Sequence, residues 1–305
     1  MPNEPRKMVT CAGGLNVDRI LRLHNAARLG TSNPGAASTS PGGVARNIAD
    51  RLARSGVATA LFGAIGDDAD GRSLIEHATS LGIDVDAVVS VDKPTGTYSA
   101  VIDPDGSLVI GVSDMAATEA LRVEHLAAVE SKIANSGWLI IDANLPTELI
   151  AALAEMAATH GCKVAANTVS VAKAGRIKGP AIDLVFCSLD EAEALSGDSF
   201  SNHSPQDRDR CRAAMSASGV PSAVVTIGAD GAWFFDVDHC GSVDAVPTDA
   251  TDTTGAGDAL VGETVRSLLG GADLQTAVSN GVTISAEVIR HVGAAPAQTS
   301  SRVIT

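Results

Sequence analysis

The chain has 305 residues, of which 45% are hydrophobic and 19% charged, and its formal net charge at pH 7 is −14. This length suits one large α/β domain with an appendage or two small domains. The acidic balance argues against nucleic acid as a partner, because that binding depends on Lys and Arg neutralising phosphates.

The five cysteines are scattered without C-x-x-C spacing, which indicates free thiols in a reducing compartment rather than a disulfide framework or a zinc site. The first residues lack the apolar core of a signal peptide. No apolar run approaches the roughly 20 residues that span a bilayer. We therefore expect a cytoplasmic protein with no membrane partner.

The N-terminal part begins with a buried strand at 8–12, which ends at a Gly-Gly pair. Residues 15–21 then alternate apolar and polar side chains, as a half-exposed strand does. Asn16 and Asp18 therefore point to the same side of that strand. Their amide and carboxylate suit two neighbouring hydroxyls of a sugar, and a polar strand face in solvent is the alternative interpretation.

A second glycine pair, Gly42-Gly43, precedes an amphipathic helix predicted for 44–55, in which Arg46 lies away from the apolar stripe. Asn47 stands one turn into this helix. The glycines and the amide together offer bare backbone and a polar group to a ligand at the helix start. Taken alone, such a pair is usually only a turn.

The middle of the chain changes character between 85 and 112, where short β runs are separated by turn sequences and predict a small antiparallel sheet, inserted as a lid. From 123 onward strands alternate with helices, which implies a parallel sheet covered on both faces, with ligands at the carboxyl ends of its strands. The segment 199–209 is expected to be an exposed loop. The predicted lid strands are 88–91, 97–102 and 108–112; the other strands are 58–65, 138–142, 163–166, 184–187, 223–227 and 233–236; the helices are 72–81, 123–134, 147–159, 189–196, 206–218 and two long ones after 257 and 273.

The most informative stretch lies late in the chain, where residues 251–260 read T-D-T-T-G-A-G-D-A-L before an apolar helix. Small residues at 255–257 let the backbone approach a ligand closely, and free N–H groups at a helix start attract anions. Asp258 then either caps the helix or takes a proton from a hydroxyl held beside a phosphate. This stretch alone does not decide between the two.

Several other chemistries lack their motifs. The chain has no G-x-x-x-x-G-K-[ST] loop, no G-x-S-x-G elbow and no H-E-x-x-H sequence, and its G-A-G turn lacks the third glycine of a dinucleotide fingerprint. The seven histidines show no ligand spacing and are expected to be structural or solvated.

Two motifs in the right order and at the right distance resemble the ribokinase-like (PfkB) family of carbohydrate and nucleoside kinases. They are Gly42 to Ala49 (G-G-V-A-R-N-I-A) and Asp252 to Asp258 (D-T-T-G-A-G-D). The resemblance implies a single three-layer α/β kinase domain over 1–305, with a mainly parallel central sheet and a small antiparallel β lid contributed by about 15–40 and 86–113. Shorter stretches, such as Asp142-Ala143-Asn144 and the run from Glu191 to Gly197, are most similar to the pseudouridine kinase subfamily.

The resemblance implies ATP-dependent phosphorylation of the 5′-hydroxyl of pseudouridine. Asp258 is the implied base, and the amides of Gly255, Ala256 and Gly257 stabilise charge on the transferred group. Mg²⁺ is expected to be held through water near Glu191. The implied ribose contacts are Asn16, Asp18, Gly42, Gly43 and Asn47; the implied ATP contacts are Ser188, Thr226, Gly228, Gly231 and, for adenine, Asn280; Asp252 and Thr254 match positions near a monovalent-cation site.

The uracil ring is expected to contact Asp114 and Asn144, with Thr97 or Tyr98 on the lid. A C-linked uracil exposes an extra N1–H, which a carboxylate or an amide carbonyl can accept. A turn residue after a lid strand is the alternative interpretation of Asp114.

The chain departs from the family pattern at three places. Ser188 stands where the family has Asn, Asn167-Thr168 replaces a frequent Asp-Pro, and the segment 293–297 lacks a hydroxyl of potassium-dependent relatives, so K⁺ activation stays open. A kinase for another nucleoside or sugar (ribose, adenosine, cytidine) and a nucleoside-binding sensor without turnover remain alternatives. The lid has sheet edges to protect, which favours a homodimer through the lid.

Overall fold

The computed structural model describes residues 6–177, 179, 181–200, 204–248 and 255–290. In chain order its elements are β1 (Met8–Ala12), β2 (Asn16–Leu23), β3 (Gly35–Gly42), α1 (Val44–Arg54), β4 (Ala58–Phe62), β5 (Ala64–Gly66), α2 (Ala69–Ser80), β6 (Val89–Val91), β7 (Gly96–Ile102), β8 (Leu108–Asp114), α3 (Ala116–Glu119), a 3₁₀ helix (Val123–Ala128), α4 (Glu130–Asn135), β9 (Ser136–Asp142), α5 (Thr147–Thr159), β10 (Lys163–Asn167), α6 (Val171–Ala174), β11 (Leu184–Ser188), α7 (Leu189–Ser196), α8 (Pro205–Ala217), β12 (Ala223–Thr226), a 3₁₀ turn (Gly228–Asp230), β13 (Ala232–Phe235), β14 (Cys240–Val243), α9 (Ala256–Leu269) and α10 (Leu274–Val288).

The central sheet has the order β14-β13-β12-β11-β10-β9-β1-β4. Its strands from β12 to β4 are parallel, and β13 and β14 add an antiparallel edge. Because successive side chains of a strand face opposite sides, Leu139 and Ile141 of β9 pack in one buried cluster and Trp138 and Ile140 in the other.

Helices cover both faces of this sheet. The cluster on one face includes residues of α4, α5, α7 and α8, and the cluster on the other includes residues of α1, α2, α9 and α10. The predicted three-layer α/β fold with a mainly parallel central sheet is therefore confirmed. Among the helices that the structure describes, none combines the length and hydropathy needed to cross a bilayer.

A second sheet, which we call the lid sheet, has the order β3-β2-β7-β8. The pairs β2–β3 and β7–β8 are antiparallel, and β2 and β7 run parallel at its centre. The lid sheet thus combines β2, the polar strand after the first glycine pair, with its partner β3 and with the later strands β7 and β8.

The predicted position of one lid strand is wrong. Residues 88–91 were expected in the lid, but β6 pairs in parallel with β5 in a separate two-stranded sheet. A side-chain cluster explains this placement: Thr95 Oγ1 accepts from Gly66 N at 2.9 Å, and Asp68 accepts from Thr95 N at 2.8 Å. These bonds tie the chain after β6 to the start of α2.

Other element boundaries also differ. The expected exposed loop at 199–209 is wrong, because Phe200 is fully buried and α8 begins at Pro205, with Ser204 as its N-cap and proline in its first turn. The strand at 58–65 is broken into β4 and β5, and the helix at 123–134 begins as a 3₁₀ helix. Helices α3 and α6 and strand β14 were not predicted from the sequence.

Candidate active site

Asp258 lies in the first turn of α9, whose N-cap is Gly255 with φ 78° and ψ 4°. Glycine adopts this left-handed conformation without steric cost. Asp258 is therefore not the N-cap; instead its Oδ2 accepts a hydrogen bond from Asn47 Nδ2 at 2.8 Å. The structure thus joins the two glycine motifs of the sequence through one amide–carboxylate contact.

The environment of Asp258 disfavours its charge. The residue is only 8% exposed. Burial raises the pKa of Asp258 to about 6, nearby Asp142 adds to the rise, and the Asn47 hydrogen bond, Arg51 and Arg46 oppose it. A carboxylate with such a pKa is ionised near neutral pH and can accept a proton, as a general base must.

Asp142 holds three backbone segments together at the carboxyl end of β9. Its Oδ2 accepts from Gly14 N at 2.8 Å and Ala45 N at 2.9 Å, and its Oδ1 accepts from Asn144 N at 2.8 Å. It therefore satisfies a free N–H of α1, whose own N-cap is a glycine. Burial raises the pKa of Asp142, and these backbone donors oppose the rise.

Asn16 and Asp18 lie on one face of β2, as predicted, with Asn16 Nδ2 donating to Asp18 Oδ1 at 2.7 Å. Gly42 is in register with Asn16, and a Cβ on Gly42 would lie 2.4 Å from the Asp18 carboxylate. A Cβ on Gly43, at φ 98°, would lie 2.2 Å from Gly14 O. Residue 43 must therefore be glycine, and a side chain at 42 would displace the Asp18 carboxylate, so the backbone here closes directly on the polar pair.

Arg46 is buried beneath this turn at 2% exposure, although its place in the helix pattern indicated a polar surface. Its Nε donates to Gly42 O at 3.1 Å and its Nη2 to Pro41 O at 2.9 Å, with a further contact to Asn47 Oδ1. It also pairs with buried Asp50 at 3.3 Å. Arg46 thereby fixes both the glycine turn and the amide that contacts Asp258.

The lid register separates the three lid residues expected at the base. Tyr98 is paired with Asp18 and lies on the Asn16/Asp18 face. Thr97 is paired with Asp114 and with Val17, on the opposite face. Asp114 is exposed, and its Oδ1 accepts from Ala116 N at 3.1 Å. The structure therefore brings Tyr98, but neither Thr97 nor Asp114, to the face of Asn16 and Asp18.

Asn144 follows β9, is 7% exposed, and lies beside Gly14. Its Oδ1 accepts a hydrogen bond from Lys173 Nζ at 2.6 Å. Lys173 belongs to α6, a helix of four residues that the sequence analysis missed.

Ser188 and Glu191 form a capping box at the start of α7. Ser188 Oγ accepts from Glu191 N at 3.3 Å, and Glu191 Oε2 accepts from Ser188 N at 2.8 Å and from Thr168 Oγ1 at 2.5 Å. The two family departures, Ser188 and Thr168, thus meet on one carboxylate. Glu191 Oε1 has no hydrogen bond within the described chain, so it can accept from a metal-bound water.

Four of the expected ATP residues lie in or beside β11 and β12, whereas Asn280 lies apart from them. Thr226 is in register with Ser188, and Gly228 begins the next turn with φ 59°. Gly231 packs against Val243 O, where a Cβ would lie 2.1 Å away. Asn280 is exposed on α10 and donates to Ser267 Oγ at 3.1 Å, far along α9 from Asp258.

The expected cation residues Asp252 and Thr254 lie outside the described residues. Elsewhere in the described chain, no group of three or more His, Cys, Asp or Glu side chains is placed to hold a metal ion. Mg²⁺ held through water near Glu191 stays a prediction.

Three residues of this site escaped the sequence analysis as functional residues: Arg46, Asp142 and Lys173. Asp142 had an available signal, since it ends an apolar strand at the edge where α/β sheets bind ligands. Arg46 stands inside the first glycine motif but reads as a surface helix residue, and Lys173 had no signal, because surface helices commonly carry such side chains.

Comparisons with known proteins agree with this geometry. A family model described as pfkB family carbohydrate kinase matches residues 6–300. The chain is similar to a pseudouridine kinase of Escherichia coli strain K12, with 30% identity over 83% of this chain and 81% of that one. It is also similar to a ribokinase of Schizosaccharomyces pombe, with 26% identity over 94% and 93% of the two chains. The structure of an Arabidopsis thaliana ribokinase complexed with ribose and ATP matches with a TM-score of 0.80 at 20% identity, over 95% and 94% of the chains, which shows a common ribokinase-like fold.

Proposed function

The chain belongs to the pfkB family of carbohydrate kinases, and from this premise we propose that it transfers the γ-phosphoryl group of ATP to the 5′-hydroxyl of pseudouridine. The observation that carries the chemistry is the buried Asp258 carboxylate at the start of α9, held by Asn47 at 2.8 Å. The likeness to the E. coli pseudouridine kinase supports the choice of substrate.

Asp258 accepts the proton of the 5′-hydroxyl as that oxygen attacks phosphorus. Its pKa of about 6 leaves it ionised at neutral pH. In a loose transition state the base mainly positions the nucleophile. The first-turn N–H groups of α9, at Gly255, Ala256 and Gly257, have no partner within the helix and stabilise charge on the equatorial oxygens. Gly257 is exposed, and among the described residues no atom outside its own helix turn lies within 4 Å of its Cβ position, which leaves room for the phosphoryl group.

The ribose is held between β2 and the glycine turn before α1. Asp18 accepts from two neighbouring hydroxyls, while Asn16 and the amide of Asn47 orient the sugar. The backbone of Gly42 and Gly43 forms the floor, since a side chain would meet the Asp18 carboxylate at 42 and the backbone of Gly14 at 43. Burial raises the pKa of Asp18, and Asn16 and Arg46 oppose the rise.

ATP binds along the ends of β11 and β12. Ser188, Thr226, Gly228 and Gly231 contact the phosphates, and Asn280 lies near the adenine. Mg²⁺, held through water by Glu191, neutralises phosphate charge when bound. A monovalent cation at Asp252 and Thr254 belongs to the same proposal.

The lid sheet closes over the nucleoside and excludes water, so that the phosphoryl group is not lost to hydrolysis. Tyr98 and Asn144 contact the uracil ring from the ribose face. Thr97 and Asp114, the other residues expected at this ring, lie on the opposite face of the lid sheet, and the proposal gives them no contact with it.

The opposite face of the lid sheet supports a homodimer. Leu21, Ile110 and Val112 are 39%, 55% and 58% exposed, and their register places all three on the face away from Asp18. Exposed apolar side chains grouped on one face mark an interaction surface. Size-exclusion chromatography with light scattering should find a dimer, and Ile110→Glu should yield a monomer. A monomeric wild-type protein would remove this part of the proposal.

The five free thiols support a reducing, cytoplasmic location.

An ADP-release assay over pseudouridine, uridine, cytidine, adenosine and ribose tests the proposed function. We expect the highest kcat/KM with pseudouridine. A preference for ribose would select the rival that the S. pombe ribokinase likeness supports. Tight nucleoside binding without turnover would select a sensor, in which the Ser188 capping box keeps Glu191 from the metal.

A further inference from the structure

Lys173 places an ammonium group beside the candidate base site. Its Nζ donates to Asn144 Oδ1 at 2.6 Å, and the side chain is half-buried. Within the part of the chain that the structure describes, it forms no ion pair. Burial lowers the pKa of Lys173, nearby Arg176 adds to this, and Asp142 and Glu119 oppose it. A desolvated ammonium with only an amide for a partner retains unused donor capacity.

The contact also fixes what Asn144 can offer. Lysine only donates hydrogen bonds, so the amide oxygen of Asn144 must face Lys173. The amide nitrogen then faces Gly14, where a Cβ would lie 3.0 Å from it. Asn144 therefore presents its N–H groups, rather than its carbonyl, towards Gly14 and the Asp142 carboxylate, and an amide carries two such hydrogens, so one is left for a ligand.

The segment that carries Lys173 is built at a conformational cost. Among the described residues other than glycine, Val169 is the one whose φ is positive, at 66°. This conformation is unfavourable for a β-branched side chain and is found where a site requires it. The Val169 N–H donates to Asn167 Oδ1 at 2.9 Å, and Thr168 bonds to Glu191. The strained turn thus sets the direction of α6 relative to Glu191.

Arg176, which follows α6, holds the backbone around Asn144. Arg176 Nη1 lies 3.2 Å from Ala143 O, 3.2 Å from Asn144 O and 3.3 Å from Leu145 O. The backbone that carries Asn144 is therefore held by Arg176, while Asp142 is already occupied by three backbone N–H groups. Lys173 is needed for neither task.

We propose that Lys173 is a specificity-determining residue, whose ammonium group, together with the amide N–H of Asn144, donates to the carbonyl oxygens of a uracil-type base. This inference rests on the proposed nucleoside kinase function. Uracil presents two carbonyl groups, whereas cytosine carries an amino group in place of one of them, so donors on the protein favour the first and leave the second unsatisfied. The assignment revises the expectation that the Asn144 carbonyl accepts the N1–H of the base.

The test is Lys173→Met, which keeps the length of the side chain and removes the ammonium group. The matched control is Lys163→Met, on an exposed lysine at the amino end of β10. Steady-state kinetics should show a KM for pseudouridine raised about 10- to 100-fold, because a lost hydrogen bond to a charged group weakens binding by that factor. We expect kcat, the KM for ATP and Tm to stay close to wild type, and Lys173→Arg to recover part of the loss.

Other outcomes overturn the inference in distinguishable ways. An unchanged KM for pseudouridine excludes contact between Lys173 and the base. A fall in kcat together with a raised KM for ATP and a lower Tm would assign Lys173 a structural role. If the wild-type enzyme turns over ribose but no uracil nucleoside, the proposed function fails, and the base assignment fails with it.

Discussion

Replacing Asp258 with Asn should remove activity and yet stabilise the protein. Asp258 is buried, and its pKa of about 6 lies above the ordinary value of 3.8. Asparagine has the same shape and no charge, and its amide oxygen can accept the hydrogen bond from Asn47. The variant therefore keeps the contact and loses the cost of a buried negative charge.

The magnitude follows from the pKa. A folded-state pKa that is raised above the unfolded value means that the contribution of Asp258 to stability is full below about 3.8 and is lost as pH rises through about 6. A difference of about two pKa units corresponds to about 3 kcal/mol. Asp258→Asn should therefore be more stable than wild type by about 3 kcal/mol at pH 8 and by only about 1 kcal/mol at pH 4.5.

Urea unfolding of both proteins at the two pH values measures this difference, because all other titrating groups are common to both. Asp92→Asn, at an exposed residue, is the control and should change the free energy of unfolding by less than about 0.5 kcal/mol. If Asp258→Asn is no more stable than wild type at pH 8, the buried negative charge of Asp258 does not destabilise the folded protein.

Three further predictions concern the same site. The kcat/KM for pseudouridine should fall about tenfold per pH unit below pH 6 and level off above pH 7, because protonated Asp258 cannot accept the hydroxyl proton. A pH–rate profile that stays flat down to pH 5 would contradict this. Gly42→Ala should raise KM for pseudouridine at least about tenfold by displacing Asp18, whose carboxylate lies 2.4 Å from the new Cβ. Its control is Gly175→Ala, at φ −61° with no atom within 4 Å, where kinetics should be unchanged. Ser188→Ala should lower the free energy of unfolding by about 1 kcal/mol through loss of the helix cap and raise KM for ATP. Urea unfolding and ATP titrations measure the two effects. A variant equal to wild type in both would argue against a role for the capping box.

The sequence was sufficient for most of the fold because local patterns and tertiary packing agree. The helices at 147–159 and 189–196 have the predicted bounds. In the second, the capping residues Ser188 and Glu191 stand in the sequence itself. The alternation after residue 123 predicted the parallel sheet for the same reason.

Long-range pairing was beyond local patterns. Residues 88–91 have the composition of a lid strand, but their partner is β5. The positions of Thr97 and Asp114 depend on register, and a shift of one residue moves a side chain to the other face of a sheet. No local signal gives that register.

The burial of charged side chains could not be predicted from the sequence either. Arg46 and Asp50 occupy helix positions that suit a surface, and only the packing of α1 against the glycine turn and α9 shows that both are buried. Lys173 stands in a helix of four residues, too short for any periodic pattern. The glycines of the two motifs, with Asn47 and Asp258, were found because their spacing is itself the signal.

The most direct test of the account is the single-turnover rate of Asp258→Asn with ATP, Mg²⁺ and pseudouridine. We expect phosphoryl transfer at least about 100-fold slower than in wild type, with the Kd for pseudouridine changed by no more than a few-fold. A variant that phosphorylates pseudouridine at nearly the wild-type rate would contradict the role given to the carboxylate at the start of α9.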